Sequence, residues 1–517
     1  MGEEKFELSR VQVGEQDGSS TPVSGDGDDS SVERQTRTRK LFSFPQLLAF
    51  AIMYFITWIG MGTGMFFTLV NGGPAAYMFN FLIVITGVLA QAACLAELAS
   101  IIPIAGAQYY WTYHFAPPKH RLFITWVQGW ATWLGYVVMF CSALNANVIV
   151  VQAVIQITNP EYETTGWRTT LFVVFTLFLF TIINVWFFRI VPWFEMISGI
   201  FNVCFFFITL ASLWALSPRN GPEFFLTKSN NSGWDNDFVS WNLAMLSQIW
   251  CFIGFEGVIH MGEEAKDARR SVPKAMMGGI IANGIMGFLM VVTFIVCMPP
   301  IEEMLAAPSP LVYLLVRGTG SDTIATVIGS GITFTLFSAT MGMFASVSRL
   351  TWAWARDGGL PAYFGHVDGK NRVPVRAVLL TCSIVVLLSL LNLGTAAYVA
   401  LNAVSSLSSL ALYLSYVIIL SVVLHARMTT GIRVSEWNLG RWGLPLNIFA
   451  LVYTLYTMIW LPFPTTLPVS ASSMNYCGPV FAAAMSGVIG AWFVWGRHHW
   501  QGPNEKVVEI VMRLASM

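Results

Sequence analysis

Stretches that lack any charged side chain dominate the pattern of this sequence. No Asp, Glu, Lys, Arg or His occurs in residues 41–96, 377–424 or 442–496. Each stretch is long enough for two membrane-spanning helices of about 20 residues, joined by a short polar turn. The turns are predicted at the sequences NGGP, NLGT and PFPTTLPVSASSMNYCGP. Three helical hairpins are therefore expected.

Charged loops separate the remaining apolar runs. Together the runs predict twelve transmembrane helices, over residues 46–70, 76–99, 122–152, 170–190, 194–216, 241–261, 277–298, 322–348, 376–392, 396–424, 446–466 and 478–496. The composition agrees, since only 11% of the residues are charged, against roughly 25% in soluble proteins. The sequence therefore predicts an all-α membrane protein embedded in a lipid bilayer.

The basic residues are distributed unevenly between the two sides of this arrangement. The chain has 28 Lys and Arg residues. If the N-terminus is cytoplasmic, all of them lie on the cytoplasmic side except Arg168, Arg219, Lys228 and Arg317. Because cytoplasmic loops are enriched in Lys and Arg, both termini are predicted to be cytoplasmic. The Asn-X-Ser triplet at Asn230 then lies in an external loop, where it is a candidate glycosylation site.

Two spans contain glycines near their middle. The first has IGMGTGM at 59–65, with Gly60, Gly62 and Gly64 in alternation, and the sixth has IGFEGV at 253–258. Glycine costs about 1 kcal/mol relative to alanine inside a helix, so such clusters favour unwinding. Close packing of helices through small residues is the alternative explanation. Since the clusters fall in the first and the sixth span, we expect two broken helices that meet near the middle of the membrane.

This correspondence predicts an inverted repeat of five plus five helices, with discontinuous helices 1 and 6 and two further helices at the C-terminal end. The predicted organisation is a disordered cytoplasmic tail over 1–40, a first repeat over 41–216, an external loop over 217–240, a second repeat over 241–424, helices eleven and twelve over 425–500, and a cytoplasmic C-terminal tail over 501–517. The first tail is assigned from its polar composition, which is rich in Gly, Ser and Asp.

Several classes of function are disfavoured by what the sequence lacks. The seven cysteines are scattered, with no CxxC pair and no Cys/His cluster, so neither a metal site nor a disulfide framework is predicted. A Walker-type phosphate loop is absent, and the basic loops do not have the pattern of a nucleic-acid-binding face. We therefore expect neither an enzyme nor a nucleic-acid-binding protein, and no cofactor.

Three longer motifs carry a resemblance to a known group of proteins. They are AELASIIPIAGAQYYW at 96–111, GFEGVIHMGEEAKDARRSVPKAM at 254–276 and SRLTWAWARDGGLP at 348–361. They resemble, in order, the second-helix signature, the sixth-helix signature and the stretch after helix eight in the amino acid, polyamine and organocation transporter superfamily. Within it, the chain is most similar to the fungal amino acid/choline permeases.

The resemblance implies secondary active transport, by alternating access, of an amino acid, choline, GABA or a related amine. It places the chain in the plasma membrane rather than in a vacuolar or other internal membrane. The chain departs from its relatives in two ways. Glu256 stands where they carry Asp, and the fifth helix lacks the lysine that takes the place of a sodium ion in some proton-coupled members. The coupling ion, H⁺ or Na⁺, is therefore left open.

The predicted substrate site consists of the residues at the two breaks. Its members are Gly60, Gly62, Thr63, Gly64, Gly254, Phe255, Glu256 and Gly257. Freed amides and half-helix N-termini can hold an anionic group, and freed carbonyls can hold a cation. An ammonium group gains roughly 2 kcal/mol or more over a desolvated aromatic face. The aromatic residues that could line the site are Tyr54, Trp58, Trp250 and Phe252.

Glu256 is the most informative of these residues, because an ionised carboxylate in hydrocarbon is costly and usually functional. It could be a counter-ion for a cationic substrate, a proton carrier, or a structural acceptor for amides freed at the first break. His260 lies four residues later and would share a helix face with it, so the pair could take part in proton coupling. A histidine bonded at the end of the helix is the alternative.

A second group of acids is predicted at the cytoplasmic ends of helices two and six. Its members are Glu97, Glu263 and Glu264. Nearby basic residues, including Arg349, Arg356 and the KDARR run, are the expected partners, in pairs that form and break as an inner gate closes and opens. Solvated loop charge is the alternative.

Two other functions remain open at this point. One is a receptor of transporter type that binds such a solute without moving it. The other is an importer or exporter of a specialised amine metabolite.

Overall fold

The structure is a computed structural model that describes residues 40–368, 373–394, 397–432, 435–470 and 474–504, together with Val507. Within these ranges the regular structure is helical, apart from a one-residue bridge between Phe42 and Ala265. The all-α prediction is confirmed. The predicted tail at 1–40 lies outside the described residues apart from Lys40, and the tail at 501–517 lies outside them apart from 501–504 and Val507.

The α-helices are numbered here in chain order. They are α1 (Phe44–Phe55), α2 (Thr57–Ile101), α3 (Gln108–Phe115), α4 (Arg121–Thr158), α5 (Gly166–Trp186), α6 (Val191–Leu216), α7 (Asp237–Ala244), α8 (Leu246–Trp250), α9 (Ala268–Val296), α10 (Ile301–Ala306), α11 (Pro310–Thr319), α12 (Asp322–Arg356), α13 (Val375–Ser389), α14 (Ala397–Thr429), α15 (Gly443–Trp460), α16 (Cys477–Ala491) and α17 (Arg497–His499). A 3₁₀ segment, Phe255–Glu264, follows α8 and is called the 3₁₀ segment below.

Eleven segments of the described chain are long and apolar enough to cross a membrane. One of them, Phe44–Ile101, has 58 residues, far more than the roughly 20 that one crossing needs. Gly73, with φ 66° and ψ −161°, interrupts α2 and is followed by Pro74. This is the predicted NGGP turn, so the segment contains two crossings.

Hydrogen bonds on either side of Gly73 show that the chain reverses there. Thr68 Oγ1 donates to the Ala244 carbonyl (2.9 Å), and Asn80 Nδ2 donates to the Trp241 carbonyl (2.9 Å). Residues 68 and 80 would lie about 18 Å apart in a straight helix, yet they contact carbonyls less than one turn apart in α7. The two crossings form a hairpin, and the twelve-helix prediction is confirmed.

The outer helices present apolar side chains to the surroundings. Phe178 on α5, Phe207 on α6 and Val452 on α15 are each more than half exposed. Such a surface is costly in water and suited to lipid hydrocarbon. The inner helices α4, α9 and α12 instead surround the first and the sixth span.

Both the first and the sixth span are discontinuous, as predicted. In the first, α1 ends at Phe55, Ile56 adopts a left-handed conformation (φ 38°, ψ 47°) and α2 begins at Thr57. In the sixth, α8 ends at Trp250, residues 251–254 form a turn and the 3₁₀ segment follows. The two interruptions are called the first break and the second break. The inverted-repeat relation between the two halves stays a prediction.

The position predicted for the first break is wrong. Gly60, Gly62 and Gly64 are helical, and the chain unwinds before them. These glycines allow close contact between helices, which was the alternative explanation. A Cβ at Gly60 would lie 2.9 Å from Cys251 Sγ, and one at Gly62 would lie 2.6 Å from Leu311 Cδ1. Packing against these neighbours therefore outweighs the low helix propensity of glycine.

Candidate functional site

The two breaks touch each other inside the helix bundle. Thr57, the first residue after the first break, donates from Oγ1 to the carbonyl of Cys251 in the second break (3.3 Å). Both residues are buried. The sequence therefore folds so that the irregular backbone of both spans meets at one place, as expected for backbone that must avoid lipid.

A single side chain from α9 holds the first break. Asn283 accepts a hydrogen bond at Oδ1 from the Thr57 amide (3.0 Å). Its Nδ2 donates to the carbonyls of Ile52 and Gly279 (3.0 Å each). Asn283 is fully buried. It thus satisfies the Thr57 amide, which would otherwise be unpaired in an apolar environment, and is a second donor to the Ile52 carbonyl, which also accepts from the Ile56 amide (3.4 Å).

The second break is held by a tyrosine and a carboxylate. Gly254 has a left-handed backbone (φ 72°, ψ 23°), and its amide donates to Tyr416 Oη on α14 (2.9 Å). The same Tyr416 hydroxyl donates to Glu256 Oε2 (2.7 Å), and Gln108 Nε2 on α3 donates to Glu256 Oε1 (2.5 Å). Glu256 is fully buried, and each of its carboxylate oxygens has a protein donor. Glu256 therefore connects the 3₁₀ segment with α3 and α14.

A cavity of about 50 Å³ lies between the breaks and the helices α4 and α12. We call it the central cavity. Its lining residues are Tyr54, Phe55, Ile56, Gly60, Thr63, Met139, Ala143, Ala146, Trp250, Cys251, Ile253, Leu336, Ala339, Thr340 and Met343. Most of these residues are apolar, and none of the described residues that line the cavity is acidic. A small, mostly apolar cavity with a few polar atoms is typical of a small-molecule site.

Three kinds of polar group border the central cavity. The Tyr54 hydroxyl is buried beside the Ser346 hydroxyl, which itself donates to the Gly257 carbonyl (2.9 Å). The last carbonyls of α1 have no partner within that helix. The N-terminus of α2 begins beside them and carries partial positive charge. The cavity can therefore meet both a positive and a negative group of a ligand.

Four of the predicted site residues line the central cavity. They are Gly60, Thr63, Tyr54 and Trp250. Gly64 lines a second cavity of about 20 Å³, which shares Thr63 and Trp250 with the first and also contains Ser405, Ser406 and Ser409 of α14.

The remaining predicted residues are placed around the breaks, outside the lining. Gly62 faces Leu311, and Gly257 packs against the Tyr54 ring. Phe255 stacks near Tyr416, and Phe252 packs against Phe81. Trp58 donates from Nε1 to Asn202 Oδ1 (2.9 Å). Gly254 and Glu256 form the hydrogen-bonded second break described above.

The prediction that Glu256 and His260 share a helix face is wrong. The segment that carries them is a 3₁₀ helix with about 3 residues per turn, so residues four apart point roughly 120° apart. His260 Nδ1 lies 2.6 Å from the Ala105 carbonyl, and its ring packs edge-on against Tyr136. Glu256 instead contacts Gln108 and Tyr416. His260 is therefore bonded to the backbone, as in the alternative explanation given above.

Buried ion pairs close one side of the bundle. We call this the N-terminal side, because α1 begins there. Glu264 pairs with Arg349 (3.2 Å), and Glu263 pairs with Arg356 (3.4 Å). All four side chains are less than a tenth exposed. The predicted pairing of these two acids is confirmed in this state.

Glu97 pairs with a different residue from those expected. Its partner is Arg427 at the end of α14, and Glu97 Oε1 also accepts a hydrogen bond from the Leu439 amide (3.0 Å). In the KDARR run, Arg270 pairs with Glu436 at the exposed surface (2.9 Å). Helix α14 ends beside α2, so Arg427 lies next to Glu97 and pairs with it in place of the predicted loop residues.

The segment after α17 also packs against this closed side. Trp500 is buried and donates from Nε1 to the Asp357 carbonyl (2.8 Å). The Asp357 carboxylate accepts from Tyr109 (2.6 Å) and Tyr110 (3.0 Å). Burial raises the pKa of Asp357, while Arg356 and the two tyrosine hydroxyls favour its ionised form. The N-terminal side is therefore also held by a residue from the C-terminal part of the chain, Trp500.

Sequence reasoning missed the residues that hold the breaks. These are Asn283, Tyr416 and Gln108. A signal existed for Asn283 and Gln108, since polar side chains inside or beside an apolar span need an internal partner. Nothing local to Tyr416 indicated that its hydroxyl would meet a backbone amide 162 residues away.

The chain is similar to one protein family over most of its length. The pattern of the family described as amino acid permease matches residues 42–485. The choline transporter of Saccharomyces cerevisiae is 26% identical, over 86% of this chain and 80% of its own length. Amino-acid permease 2 of Neurospora crassa is 28% identical over 84% and 80%, and the GABA-specific permease of S. cerevisiae is 27% identical over 86% and 78%. This chain therefore belongs to the amino acid permease family, and it is a secondary transporter of a small nitrogen-containing solute.

Proposed function

We propose that the central cavity binds the transported solute and recognises its positively charged nitrogen. The observation that carries this proposal is the juxtaposition of the carbonyl end of α1 with the rings of Tyr54, Phe55 and Trp250 around one cavity. Carbonyl dipoles and aromatic faces both attract an ammonium group. Choline, GABA and amino acids, which the relatives are named for, all carry such a nitrogen.

A second group on the solute would be held at the start of α2. A carboxylate is stabilised by the positive dipole of a helix N-terminus, and the Thr63 hydroxyl, which donates to the Gly60 carbonyl (3.0 Å), lies on the cavity wall. An amino acid would use both ends of the cavity, and a choline-like solute would use the carbonyl and aromatic end.

The solute would reach this cavity by alternating access. A volume of about 50 Å³ is small for a ligand pocket, and the N-terminal side is closed by ion pairs. The second cavity leads from Thr63 and Trp250 towards the other side through three serines of α14. In the proposed cycle the solute enters through this second cavity and leaves after the pairs of Glu263 and Glu264 separate.

Membrane location and orientation belong to the same proposal. The distribution of Lys and Arg supports a cytoplasmic N-terminal side, and the plasma membrane is the proposed location. Asn230 is exposed in the loop between α6 and α7, on the side where glycosylation would occur. Its Nδ2, the atom to which a glycan would be attached, donates to the Trp234 carbonyl (2.8 Å), and its Oδ1 accepts from Ser232 Oγ (2.6 Å).

Uptake into vesicles tests the proposed site. Purified protein would be reconstituted, and osmotically sensitive uptake of radiolabelled choline, GABA, L-alanine and putrescine would be measured. Trp250→Leu should lower uptake of the preferred solute at least about tenfold by removing an aromatic wall. The matched control is Trp186→Leu, because Trp186 is exposed on the outer surface of α5. Equal effects of the two substitutions, or binding without uptake by the wild type, would contradict the proposal.

The role of Glu256 is tested separately. Because both of its oxygens are bonded within the protein, we propose that it fixes the second break and does not pair directly with the solute. Glu256→Gln should then reduce uptake of choline and of zwitterionic GABA to a similar extent. A selective loss of choline would show instead that Glu256 is the counter-ion of a cationic substrate.

A further inference from the structure

A second buried acid lies in the membrane part of the protein, away from both breaks. Glu195 is on α6 and is 1% exposed. It begins a stripe of polar side chains along the inner face of that helix, followed by Ser198 and Asn202 at helical spacing. The stripe reaches the first break, because Asn202 accepts a hydrogen bond from Trp58, the residue after Thr57.

Glu195 differs from the other buried acids in its partners. Glu97, Glu263 and Glu264 are paired with arginines. In contrast, Glu195 Oε1 has no hydrogen-bond partner within the described residues. Burial of a carboxyl oxygen without a partner disfavours the ionised form, so the surroundings of Glu195 favour the neutral, protonated group.

Three helices that surround the transport pathway meet at this carboxyl group. A Cβ added at Gly342 on α12 would lie 2.6 Å from Glu195 Oε1 and 3.2 Å from the ring of Phe50 on α1. Gly342 is flanked on α12 by Met343, which lines the central cavity, and lies two turns before Arg349 of the ion pair with Glu264. Ser198 also donates to Ser338 of α12 (3.2 Å). Glu195 is thus located between the central cavity and the closed side.

The charged and titratable groups on the elements packed against α6 do not neutralise Glu195. They are Tyr54 on α1, Asp322, Arg349 and Arg356 on α12, Arg269, Arg270 and Lys274 on α9, Tyr313 and Arg317 on α11, and Arg189 before α6. Arg349, Arg356 and Arg317 pair with Glu264, Glu263 and Glu303. Arg189 and Lys274 are exposed. In the described part of the chain, no ion pair joins Glu195 to any of these groups.

We propose that Glu195 is the proton-binding site that couples solute transport to proton movement. The inference rests on the transport function and extends it to the coupling ion. When the N-terminal side opens, α1 separates from α12, because Leu41 and Phe42 before α1 are bonded to Glu264 of the gate. The Glu195 carboxyl then meets water and its O–H bond breaks, with the proton passing to water. It takes up a proton again from the other side, along Ser198 and Asn202, before the next closure.

The test measures solute and proton movement separately. Wild-type protein and Glu195→Gln would be reconstituted with a pH-sensitive dye inside the vesicles, using radiolabelled choline, GABA and L-alanine as probes. Solute exchange at equal pH on both sides should stay within about twofold for Glu195→Gln, whereas uptake driven by a pH gradient should fall at least about tenfold. Solute-dependent acidification should be lost. Glu302→Gln, at an exposed acid on α10, is the matched control and should behave as the wild type.

Each other outcome decides the question. A wild type that exchanges solute but moves no proton would overturn the proton site and leave the transport function intact. Solute-dependent acidification that persists in Glu195→Gln would also overturn it. If Glu195→Gln loses exchange as well, Glu195→Asp decides: recovery of exchange and acidification together supports a carboxyl function, and an equal loss in both variants shows a packing role only.

Discussion

Both breaks of this transporter contain unwound backbone that needs hydrogen-bond partners, and the two breaks obtain them from different kinds of side chain. The first break is held by one amide side chain, Asn283, which bonds three backbone groups. The second break is held by a hydroxyl and a carboxylate, Tyr416 and Glu256, in a network that includes Gln108. The left-handed residue is Ile56 in the first and Gly254 in the second.

Because of this difference, the first break is held within one packed unit, whereas the second break is connected to the helices of the closed side. Asn283 lies on α9 and bonds α1 and α2 within one packed unit, so the first break is stabilised locally. Glu256 instead bonds α3 and α14, which also carry gate residues, since Arg427 is at the end of α14 and α3 contains Tyr109 and Tyr110. We infer that the second break responds to opening of the N-terminal side, whereas the first keeps its shape.

The largest expected effect is at the first break. Asn283→Ala leaves the buried Thr57 amide without its partner, at about 1–3 kcal/mol, and removes one of the two donors to the Ile52 carbonyl. We expect a lower thermal unfolding midpoint in detergent and near-complete loss of uptake. Asn438→Ala, at an exposed position, is the control. An Asn283→Ala protein with wild-type stability would show that the break does not depend on this side chain.

A smaller effect is expected from Tyr416→Phe at the second break. The substitution keeps the ring but removes the acceptor for the Gly254 amide and a donor to Glu256. Because Gln108 still bonds Glu256, the free energy of unfolding should fall by about 1–2 kcal/mol. Uptake should fall more than stability if the network transmits gate opening. A stability loss larger than that of Asn283→Ala would reverse the comparison.

Gly254→Ala tests the left-handed backbone of the second break. A Cβ at this φ costs about 1–2 kcal/mol, and it would also lie 2.7 Å from Met139 Sδ. Removing the contact with Met139→Ala should not restore the thermal midpoint, because the backbone strain remains. Full recovery in the double variant would mean that crowding alone requires glycine here.

Gly60→Ala is the matched case in the first span and should have the smallest effect. Gly60 is helical, so the substitution gains about 1 kcal/mol of helix propensity but crowds Cys251 Sγ. The double variant Gly60→Ala/Cys251→Ala should regain or exceed wild-type stability in the same unfolding assay. A double variant that stays destabilised would indicate that residue 60 needs glycine for its backbone conformation.

The pattern of apolar runs was sufficient to predict the helices and their number. Hydrocarbon excludes charged side chains, so each membrane crossing is visible in the local sequence as an uncharged run of sufficient length. The pairs of Glu263 and Glu264 were also predictable, because the acids and their arginines end neighbouring spans. The arginine that pairs with Glu97 was not, since it depends on which helix end lies nearest in space.

The site could be predicted in part for the same reason. Gly254 marks the second break because a left-handed backbone favours glycine, and that preference is a local property. Gly60, Gly62 and Gly64 were misleading at the first break, since glycine equally serves close packing. Their role depends on neighbours such as Cys251, which the local sequence does not contain.

The sequence by itself determined that this chain spans a membrane as twelve helices and that its first and sixth spans are interrupted. Only the tertiary structure decided where the first span unwinds and what each break binds. The physical reason is that unwinding in hydrocarbon requires a partner for every freed backbone group. For the Thr57 amide that partner is Asn283, and for the Gly254 amide it is Tyr416, each more than 150 residues away. Such a partner is chosen by packing of the whole bundle rather than by the segment that unwinds.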